Sequence, residues 1–214
     1  MHKIKCRHPS RAYAGAFWSR DVVTPRTLHT FSPTTNMNVY FDNNTLPDLV
    51  RAGVDPISAL MGSEFIISVT PDLATEYQQA IDHQAVQPAE KELCQRLLTA
   101  ATERGIFGFA EAGSNGGGYS GFGHGYWATD SMSKTLQSIK VTERPGKAIP
   151  KNRTDAFLVA LAEGAVVITN NLNDSHFKQA RAAGHHVYSW AEIIGDDDVS
   201  DLAVRLRTLL VRPR

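Results

Sequence analysis

The sequence predicts an α/β fold, in which a mainly parallel sheet is covered by helices on both faces. Short apolar runs with the composition of buried strands alternate along the chain with segments whose apolar residues recur at helical spacing. The 214 residues are 42% hydrophobic, which is enough for one domain with a sizeable core, and they contain no internal repeat. Together these observations favour a single α/β domain with elaborations.

The first predicted strand ends at Asp42, and helices and strands then follow one another. In order, we expect a strand at 37–41, a helix at 44–53, a strand at 65–69, a helix from 71 to about 83 and a helix at 88–104. Thr70 and Pro71 are typical of an N-cap and a first helical position. Gly53 and Gly105 are typical of helix ends.

Regular structure is predicted to return near residue 153, after a glycine-rich stretch at 113–125. That stretch is not expected to form helix or strand, because glycine loses the most entropy on ordering. The remaining predicted elements are a helix at 153–163, a strand at 165–169, a helix at 174–183, a short strand at 186–188 and a C-terminal helix that Ser200 caps and that runs to Leu210.

The formal net charge is zero, but the charges are unevenly distributed. Residues 1–36 carry six lysines and arginines against one aspartate, and residues 131–153 carry six against one glutamate, so each segment has a net charge of +5. The neutral total therefore does not exclude a nucleic-acid partner. We predict a disordered or basic tail at 1–36 and one domain at 37–214, with an insertion at about 87–150.

The two cysteines, Cys6 and Cys94, have no metal-ligand spacing, which argues against a disulfide framework or a zinc site. A reducing compartment, the cytoplasm, fits this cysteine usage. No apolar run approaches the roughly 18 residues of a membrane helix. We therefore expect no membrane partner.

Three acidic residues are predicted to lie at one rim of the sheet. Asp42 ends the first strand, and ligands bind parallel sheets outside the carboxyl ends of their strands. Glu76 and Asp155 interrupt apolar stripes of their helices, where a carboxylate is costly unless it is paired or metal-bound. Each acid also has a plainer interpretation: Asp42 and Asp155 can stabilise helix N-termini, and Glu76 can pair with an arginine.

Acids gathered on one rim favour a hard divalent cation, since Mg²⁺ and Mn²⁺ prefer carboxylate and water oxygens as ligands. Such a cation lowers the pKa of a bound water and neutralises phosphate oxygens, so no protein nucleophile is required. No Ser/His/Asp or Cys/His set is evident in the sequence. The late histidines are expected to be solvent-facing or structural, namely His176, His185 and His186.

These features resemble the PIN-domain nucleases. The matching stretches are 39–44 (VYFDNN), 66–76, 152–177 (NRTDAFLVALAEGAVVITNNLNDSHF) and 186–190 (HVYSW). The chain is similar to the toxin ribonucleases of bacterial type II toxin–antitoxin pairs, but the small toxins of this kind lack so long an insertion. The resemblance implies a three-layer PIN-like fold around a central parallel sheet. It also implies Mg²⁺- or Mn²⁺-dependent hydrolysis of phosphodiester bonds, usually of RNA.

The resemblance also implies roles for individual residues. Three acids would bind the metal and carry the catalysis: Asp42, Glu76 and Asp155. Nearby polar side chains would support them: Asn44, Thr169, Asn170 and Asn171. The family often has an acid where this chain has Asn171, and Asp174 would then serve as a further metal ligand. We therefore expect one firmly bound metal rather than a full two-metal pair.

The insertion has two open interpretations, a mobile surface loop or a flap that covers the substrate. A flap would stack aromatic side chains on unpaired bases. The candidates for stacking are Tyr119, Phe122, His124, Tyr126 and Trp127. Three cations close to Asp155 are predicted to contact nucleic-acid phosphates: Lys147, Lys151 and Arg153.

The sequence thus favours a divalent-metal-dependent endoribonuclease. As a toxin of a toxin–antitoxin pair it would have RNA and an antitoxin protein as partners, and it would form a homodimer. The alternative is a catalytically weak or inactive PIN-like module that binds RNA or protein, which Asn171 motivates. A phosphatase or receiver-type domain that uses Asp42 covalently is disfavoured, because no Asp-x-Asp follows the first strand.

Overall fold

The structure, a computed structural model, describes residues 36–107, 125–146, 149–150, 152–195 and 201–211. They all belong to one compact unit, Pro33–Arg214. The predicted tail lies outside the described residues except for Asn36, and so does the glycine-rich stretch up to His124. None of the helices in these ranges is long and apolar enough to cross a membrane.

Strands and helices alternate through the described ranges. The strands are β1 (Met37–Phe41), β2 (Phe65–Val69), β3 (Thr102–Glu103), β4 (Gly105–Phe107), β5 (Gly125–Trp127), β6 (Val166–Ile168) and β7 (Val187–Tyr188). The helices are α1 (Leu46–Arg51), α2 (Pro56–Leu60), α3 (Pro71–Asp82), α4 (Pro88–Ala100), α5 (Asp130–Ser138), α6 (Arg153–Leu161), α7 (Ser175–Ala182), α8 (Trp190–Ile194) and α9 (Leu202–Val211). A 3-10 turn at Asn43–Thr45 joins β1 to α1.

Five of these strands form a parallel sheet in the order β3-β2-β1-β6-β7. The central strand, β1, pairs Met37 with Phe65 on one side and Val39 with Val166 on the other. Val39 and Val166 are both fully buried, as expected for strands that are covered on both faces. The predicted α/β class with a mainly parallel sheet is confirmed.

Helices flank the sheet in a three-layer α/β arrangement. α3 packs against α4, and α6 packs against α5 and α7. α6 is buried around its whole circumference, since every residue from Ala156 to Ala162 is at most 7% exposed. This burial explains why its sequence is apolar on every face rather than along one stripe.

Capping confirms several of the predicted helix ends. Thr70 caps α3, because its hydroxyl oxygen accepts a hydrogen bond from the Leu73 N–H at 3.1 Å, and Pro71 is the first helical residue. Gly53 and Gly184 follow α1 and α7 with φ of +65° and +89°, in the left-handed region that glycine adopts without strain. The predicted cap of the last helix, Ser200, lies outside the described residues.

The predicted helix at 88–104 is wrong at its C-terminal end. α4 ends at Ala100, Ala101 is extended, and β3 follows as an edge strand of the central sheet. Thr102 pairs with Ser68, so the tertiary pairing with β2 overrides the local helical pattern. Part of the predicted insertion is thereby built into the sheet. Among the described residues, α2, α5, α8 and the small parallel pair of β4 and β5 were not predicted from the sequence.

Candidate active site at the carboxyl edge of the sheet

Asp42 follows β1 at the carboxyl edge of the sheet, as predicted. It is only 5% exposed, and its Oδ2 accepts a hydrogen bond from the Thr169 hydroxyl at 2.7 Å. Burial raises the pKa of Asp42, while the hydrogen bonds from Thr169 and from the backbone of Asn43 and Asn44 oppose the rise. A buried carboxylate with a raised pKa is stabilised in its charged form by a cation placed beside it.

Thr169 connects the polar side chains that were predicted to support the acids. It follows β6, the strand beside β1, and it is fully buried. While its hydroxyl donates to Asp42, its oxygen accepts from Nδ2 of Asn44 at 3.3 Å and from the backbone N–H of Asn171 at 3.0 Å. Asn171 therefore acts on the acid through Thr169 by its backbone N–H, whereas Asn44 contacts both Thr169 and Asp42.

Asn170 connects the loop after β6 by hydrogen bonds to the 3-10 turn, to α1 and to α8. Its backbone N–H donates to Oδ1 of Asn44 at 2.9 Å, and its Nδ2 donates to Oδ2 of Asp48 at 2.7 Å. Its Oδ1 accepts from the Trp190 N–H at 3.3 Å. Asn170 is thus placed to position Asn44.

Glu76 lies on α3, and its Oε1 accepts a hydrogen bond from the Thr154 hydroxyl at 2.6 Å. Thr154 is buried in the first turn of α6, so this bond joins the two helices. Burial raises the pKa of Glu76 to about 7, and the carboxylates of Asp42, Asp155 and Asp72 add to the rise. The hydrogen-bond partner of Glu76 is a threonine rather than the arginine of the alternative interpretation.

Asp155 is one residue beyond Thr154. Burial raises its pKa to about 6, and the charges of Asp42 and Asp174 add to the rise, while His176 opposes it. Asp174 caps α7, because its Oδ1 accepts from the backbone N–H of His176 at 2.8 Å. The cap uses one of the two Asp174 oxygens. The structure therefore brings the three predicted acids, with Asp174, into one electrostatically coupled group.

The coupled acids do not form a ready metal cage. Within the described ranges, no three His, Cys, Asp or Glu side chains are arranged so that they could hold a metal ion. The acids can influence one another's pKa without forming such a group. Charges act over roughly 8 Å at physiological salt, whereas Mg²⁺ needs its oxygen ligands at about 2.0–2.1 Å. The oxygen donors suit Mg²⁺ or Mn²⁺ by type, but among the described residues no three of them are placed to share a cation.

Arg153, predicted to contact phosphates, forms an ion pair inside the protein. Its Nε lies 2.7 Å from Oδ2 of Asp72 and its Nη2 lies 2.5 Å from Oδ1. Asp72 is 7% exposed, so this pair joins the first turns of α3 and α6 beside the site. A contact between Arg153 and nucleic acid stays a prediction. Lys147 and Lys151 lie outside the described residues.

The predicted stacking residues fall mostly in the part of the chain that is not described. This holds for Tyr119, Phe122, His124 and the side chain of Tyr126. Trp127 is described, at the end of β5, and it is 72% exposed. A stacking role for these rings stays a prediction.

Two clefts open beside the acids, and Glu76 and Arg144 line both of them. The smaller, of about 200 Å³, is also lined by Pro150, Asn152, Thr154 and Asp155. The larger, of about 360 Å³, is also lined by Asn43, Gln79, Ala80, His83, Val86 and Ile149. Glu76 therefore borders both clefts, and Asp155 borders the smaller one.

Three residues of the site were missed from the sequence: Thr154, Asp72 and Arg144. Asp72 is one helical turn before Glu76, and Thr154 directly precedes Asp155. Their spacing from the predicted acids could therefore have indicated that both lie close to the site. For Arg144, the sequence indicated only that it belongs to a basic segment. Its place at the clefts depends on how the loop before α6 folds back.

Comparison with known proteins adds no assignment to this geometry, since no family model, no curated protein and no solved structure matches the chain. The resemblance to PIN-domain nucleases stays a prediction, which depends on the matching stretches of the sequence. The coupled acids at the carboxyl edge are an independent property of the structure. They form the basis of the functional proposal.

Proposed function

We propose that this chain is a divalent-metal-dependent endoribonuclease of the PIN type. One observation carries the proposal: carboxylates converge where a parallel sheet binds its ligands, and burial, reinforced by the neighbouring carboxylates, raises the pKa of Glu76 to about 7 and that of Asp155 to about 6. Mutually repelling acids at such an edge favour a bound cation. Asp42, Glu76 and Asp155 would hold Mg²⁺ or Mn²⁺, with Asp174 as a further oxygen ligand.

When bound, such a metal supplies a Lewis acid that neutralises phosphate oxygens and lowers the pKa of a water molecule. The side chains of the protein prepare the site for it. Thr169 orients Asp42, and Thr154 orients Glu76, each through a short hydrogen bond of its hydroxyl group. Because a hydroxyl carries no charge, these bonds fix the acids without neutralising them.

RNA is the proposed substrate because positive charge lies close to the acids. The segment 131–153 has a net charge of +5 and ends two residues before Asp155. Cationic segments beside a metal site attract the phosphate backbone. By its resemblance to toxin ribonucleases, the proposal extends to an antitoxin protein as partner, to a homodimer and to the cytoplasm. Size-exclusion chromatography and co-purification test these extensions.

Cleavage by the Asp42→Asn variant tests the proposal. Full-length protein would be incubated with single-stranded RNA in the presence of Mg²⁺ or Mn²⁺. Asparagine keeps an oxygen for the Thr169 hydroxyl but removes a metal ligand, so we expect the rate to fall by about a hundredfold or more. Asp82→Asn, at the exposed end of the same helix as Glu76, is the matched control and should cut at the wild-type rate.

The proposal fails if Asp42→Asn cuts RNA as fast as the wild type. It also fails if cleavage continues when a chelator is present in excess over the divalent metal. In either case the activity would not depend on a cation held by the acids.

Two observations favour a second candidate function, a PIN-like module that binds RNA or protein without cleaving it. Among the residues that the structure describes, no acid group is arranged to hold a metal, and Asn171 stands where the family often has an acid. This function predicts that RNA binds equally well with and without metal, and that no cleavage product forms. Cleavage that requires both Mn²⁺ and Asp42 would exclude it.

A further inference from the structure

The larger cleft beside Glu76 has the size and the chemistry of a small-ligand site. Its volume of about 360 Å³ lies within the roughly 300–1,000 Å³ of typical ligand pockets. Ala80, Val86 and Ile149 give it an apolar wall, and Gln79 and His83 bring hydrogen-bonding groups to the same space. Flat nucleobases bind to surfaces that combine these two properties.

Arg144 supplies a positive charge to this cleft. It is exposed, and among the described residues it forms no ion pair, unlike Arg153, which is paired with Asp72. An arginine in this state is suited to bind a phosphate through two parallel hydrogen bonds.

Gln79 lies on α3 and His83 is its C-cap. The two residues are four positions apart and line the same cleft as Glu76. Nδ1 of His83 accepts a hydrogen bond from the Ala85 N–H at 3.2 Å. The other ring nitrogen, Nε2, is therefore the atom of His83 that can meet a ligand. An amide and an imidazole nitrogen together can donate to and accept from the edge of a base.

We propose that this cleft is a nucleotide-binding subsite, in which Arg144 binds a phosphate of single-stranded RNA and Gln79 and His83 contact the adjoining base. Because Arg144 lines both clefts, a phosphate bound to it lies between the base and the cleft of Glu76 and Asp155. The subsite rests on the proposed function, since it takes RNA as the ligand and places its backbone beside the acids.

RNA binding in the presence of a chelator tests the phosphate contact without interference from cleavage. The dissociation constant of a labelled single-stranded RNA would be measured with full-length protein at several salt concentrations. Arg144→Ala is expected to weaken binding about five- to tenfold and to reduce the salt dependence by about one phosphate contact. Lys134→Ala is the charge-matched control, because Lys134 is exposed on α5 in the same basic segment but lines neither cleft. It should change the affinity less than twofold.

The base contact is tested with the double variant Gln79→Ala/His83→Ala and the four homopolymeric RNAs. We expect the variant to lose affinity for one of them at least about threefold more than for the others. Equal losses for all four, or no loss, would overturn the base contact. Equal affinities of Arg144→Ala and Lys134→Ala would overturn the phosphate contact.

The outcomes separate this subsite from the proposed function. If Asp42→Asn abolishes cleavage while Arg144→Ala binds RNA like its control, the subsite is wrong and the nuclease proposal stands. If Arg144→Ala loses affinity while Asp42→Asn cuts RNA like the wild type, the subsite stands as an RNA-binding site and the nuclease proposal is wrong.

Discussion

At the scale of single residues, two threonines organise the candidate site. The hydroxyl groups of Thr169 and Thr154 donate to Asp42 and Glu76 at 2.7 and 2.6 Å. Neither threonine carries a charge, so the acids stay oriented while their mutual repulsion persists. Part of the conformational stability of the chain is thereby lost at this site, as is common where function needs groups that repel one another.

Removing the charge of Glu76 should therefore stabilise the metal-free protein at high pH. Because the pKa of Glu76 is raised from 4.5 to about 7, the folded state keeps a proton that the unfolded state releases. The contribution of Glu76 to stability is thus fully present below pH 4.5 and is lost as the pH rises through 7. At pH 8 we expect Glu76→Gln to raise the free energy of unfolding by about 1–2 kcal/mol, an amount reduced from the full shift because the side chain is only partly buried.

Urea denaturation at pH 4 and pH 8 in the presence of a chelator measures this difference. The gain should nearly vanish at pH 4, where Glu76 is protonated in both states. Glu92→Gln, at an exposed position on α4, is the control and should leave the stability unchanged at both pH values. A variant less stable than the wild type at pH 8 would show that the charge of Glu76 is compensated in the folded chain.

At the scale of elements, the site depends on how α3 and α6 are joined. Two contacts one helical turn apart connect them, the Asp72–Arg153 ion pair and the Glu76–Thr154 hydrogen bond. The chain enters α6 through Asn152, whose φ of +65° is left-handed, a conformation that asparagine tolerates better than most residues. This sharp entry lets consecutive residues of α6 reach Asp72, Glu76 and the acid group.

Breaking the ion pair between these helices should destabilise the fold. Arg153→Met keeps the length and apolar character of the side chain but leaves the buried Asp72 without its partner. We expect the free energy of unfolding to fall by about 1–3 kcal/mol. This loss is smaller than that for breaking a fully buried ion pair, because the Arg153 side chain is 25% exposed. Chemical denaturation at pH 7 measures the loss.

A second substitution distinguishes a lost ion pair from lost packing. The double variant Arg153→Met/Asp72→Asn should recover at least half of the stability, because no unpaired charge then stays buried. Arg51→Met, at a pair whose arginine side chain is 76% exposed, should cost less than about 0.5 kcal/mol. Equal losses in the single and double Arg153 variants would show that packing, rather than charge, holds the helices.

At the scale of the whole molecule, α9 brings the C-terminal part of the chain back to the central sheet. Leu202 and Leu206 are fully buried, and the Tyr188 hydroxyl at the end of β7 donates to the Leu209 carbonyl at 3.1 Å. Arg207 forms two hydrogen bonds to Glu64, the residue before β2, at 2.5 and 2.6 Å. Elements far apart in sequence are thus joined by α9.

The Glu64–Arg207 pair should make stability depend on acidic pH. The hydrogen bonds from Arg207 lower the pKa of Glu64 from 4.5 to about 2. The stabilisation is therefore fully present above pH 4.5 and is lost as the pH falls toward 2. Because the pair is exposed to solvent, we expect Glu64→Gln to lose less than about 1 kcal/mol at pH 6 and still less at pH 2.

Denaturation at these two pH values, at low and high salt, measures the contribution. High salt should reduce the difference between Glu64→Gln and the wild type at pH 6, because salt screens exposed charges. A difference that is the same at pH 6 and pH 2 would contradict an ionic origin. It would indicate instead that the glutamine disturbs the start of β2.

Much of the fold could be predicted because its signals are local. The apolar runs of β1, β2 and β6 and the N-cap at Thr70 are read from adjacent residues, and the structure has them where they were predicted. The edge strand β3 could not be predicted, because two residues form a strand only where a neighbouring strand offers hydrogen bonds. The same reason explains the pairing of β4 and β5.

The sequence by itself determined the class of the fold and the choice of the candidate acids. Alternating apolar patterns require a buried parallel sheet, and the ends of its strands locate Asp42 at the ligand edge. Only the tertiary structure decided which partners these acids have. In the structure, Thr154 donates a hydrogen bond to Glu76, Arg153 forms an ion pair with Asp72, and Arg144 lines the clefts. The contacts of Glu76 and Asp72 join residues 78 and 81 positions apart, and their formation depends on helix packing rather than on local propensity.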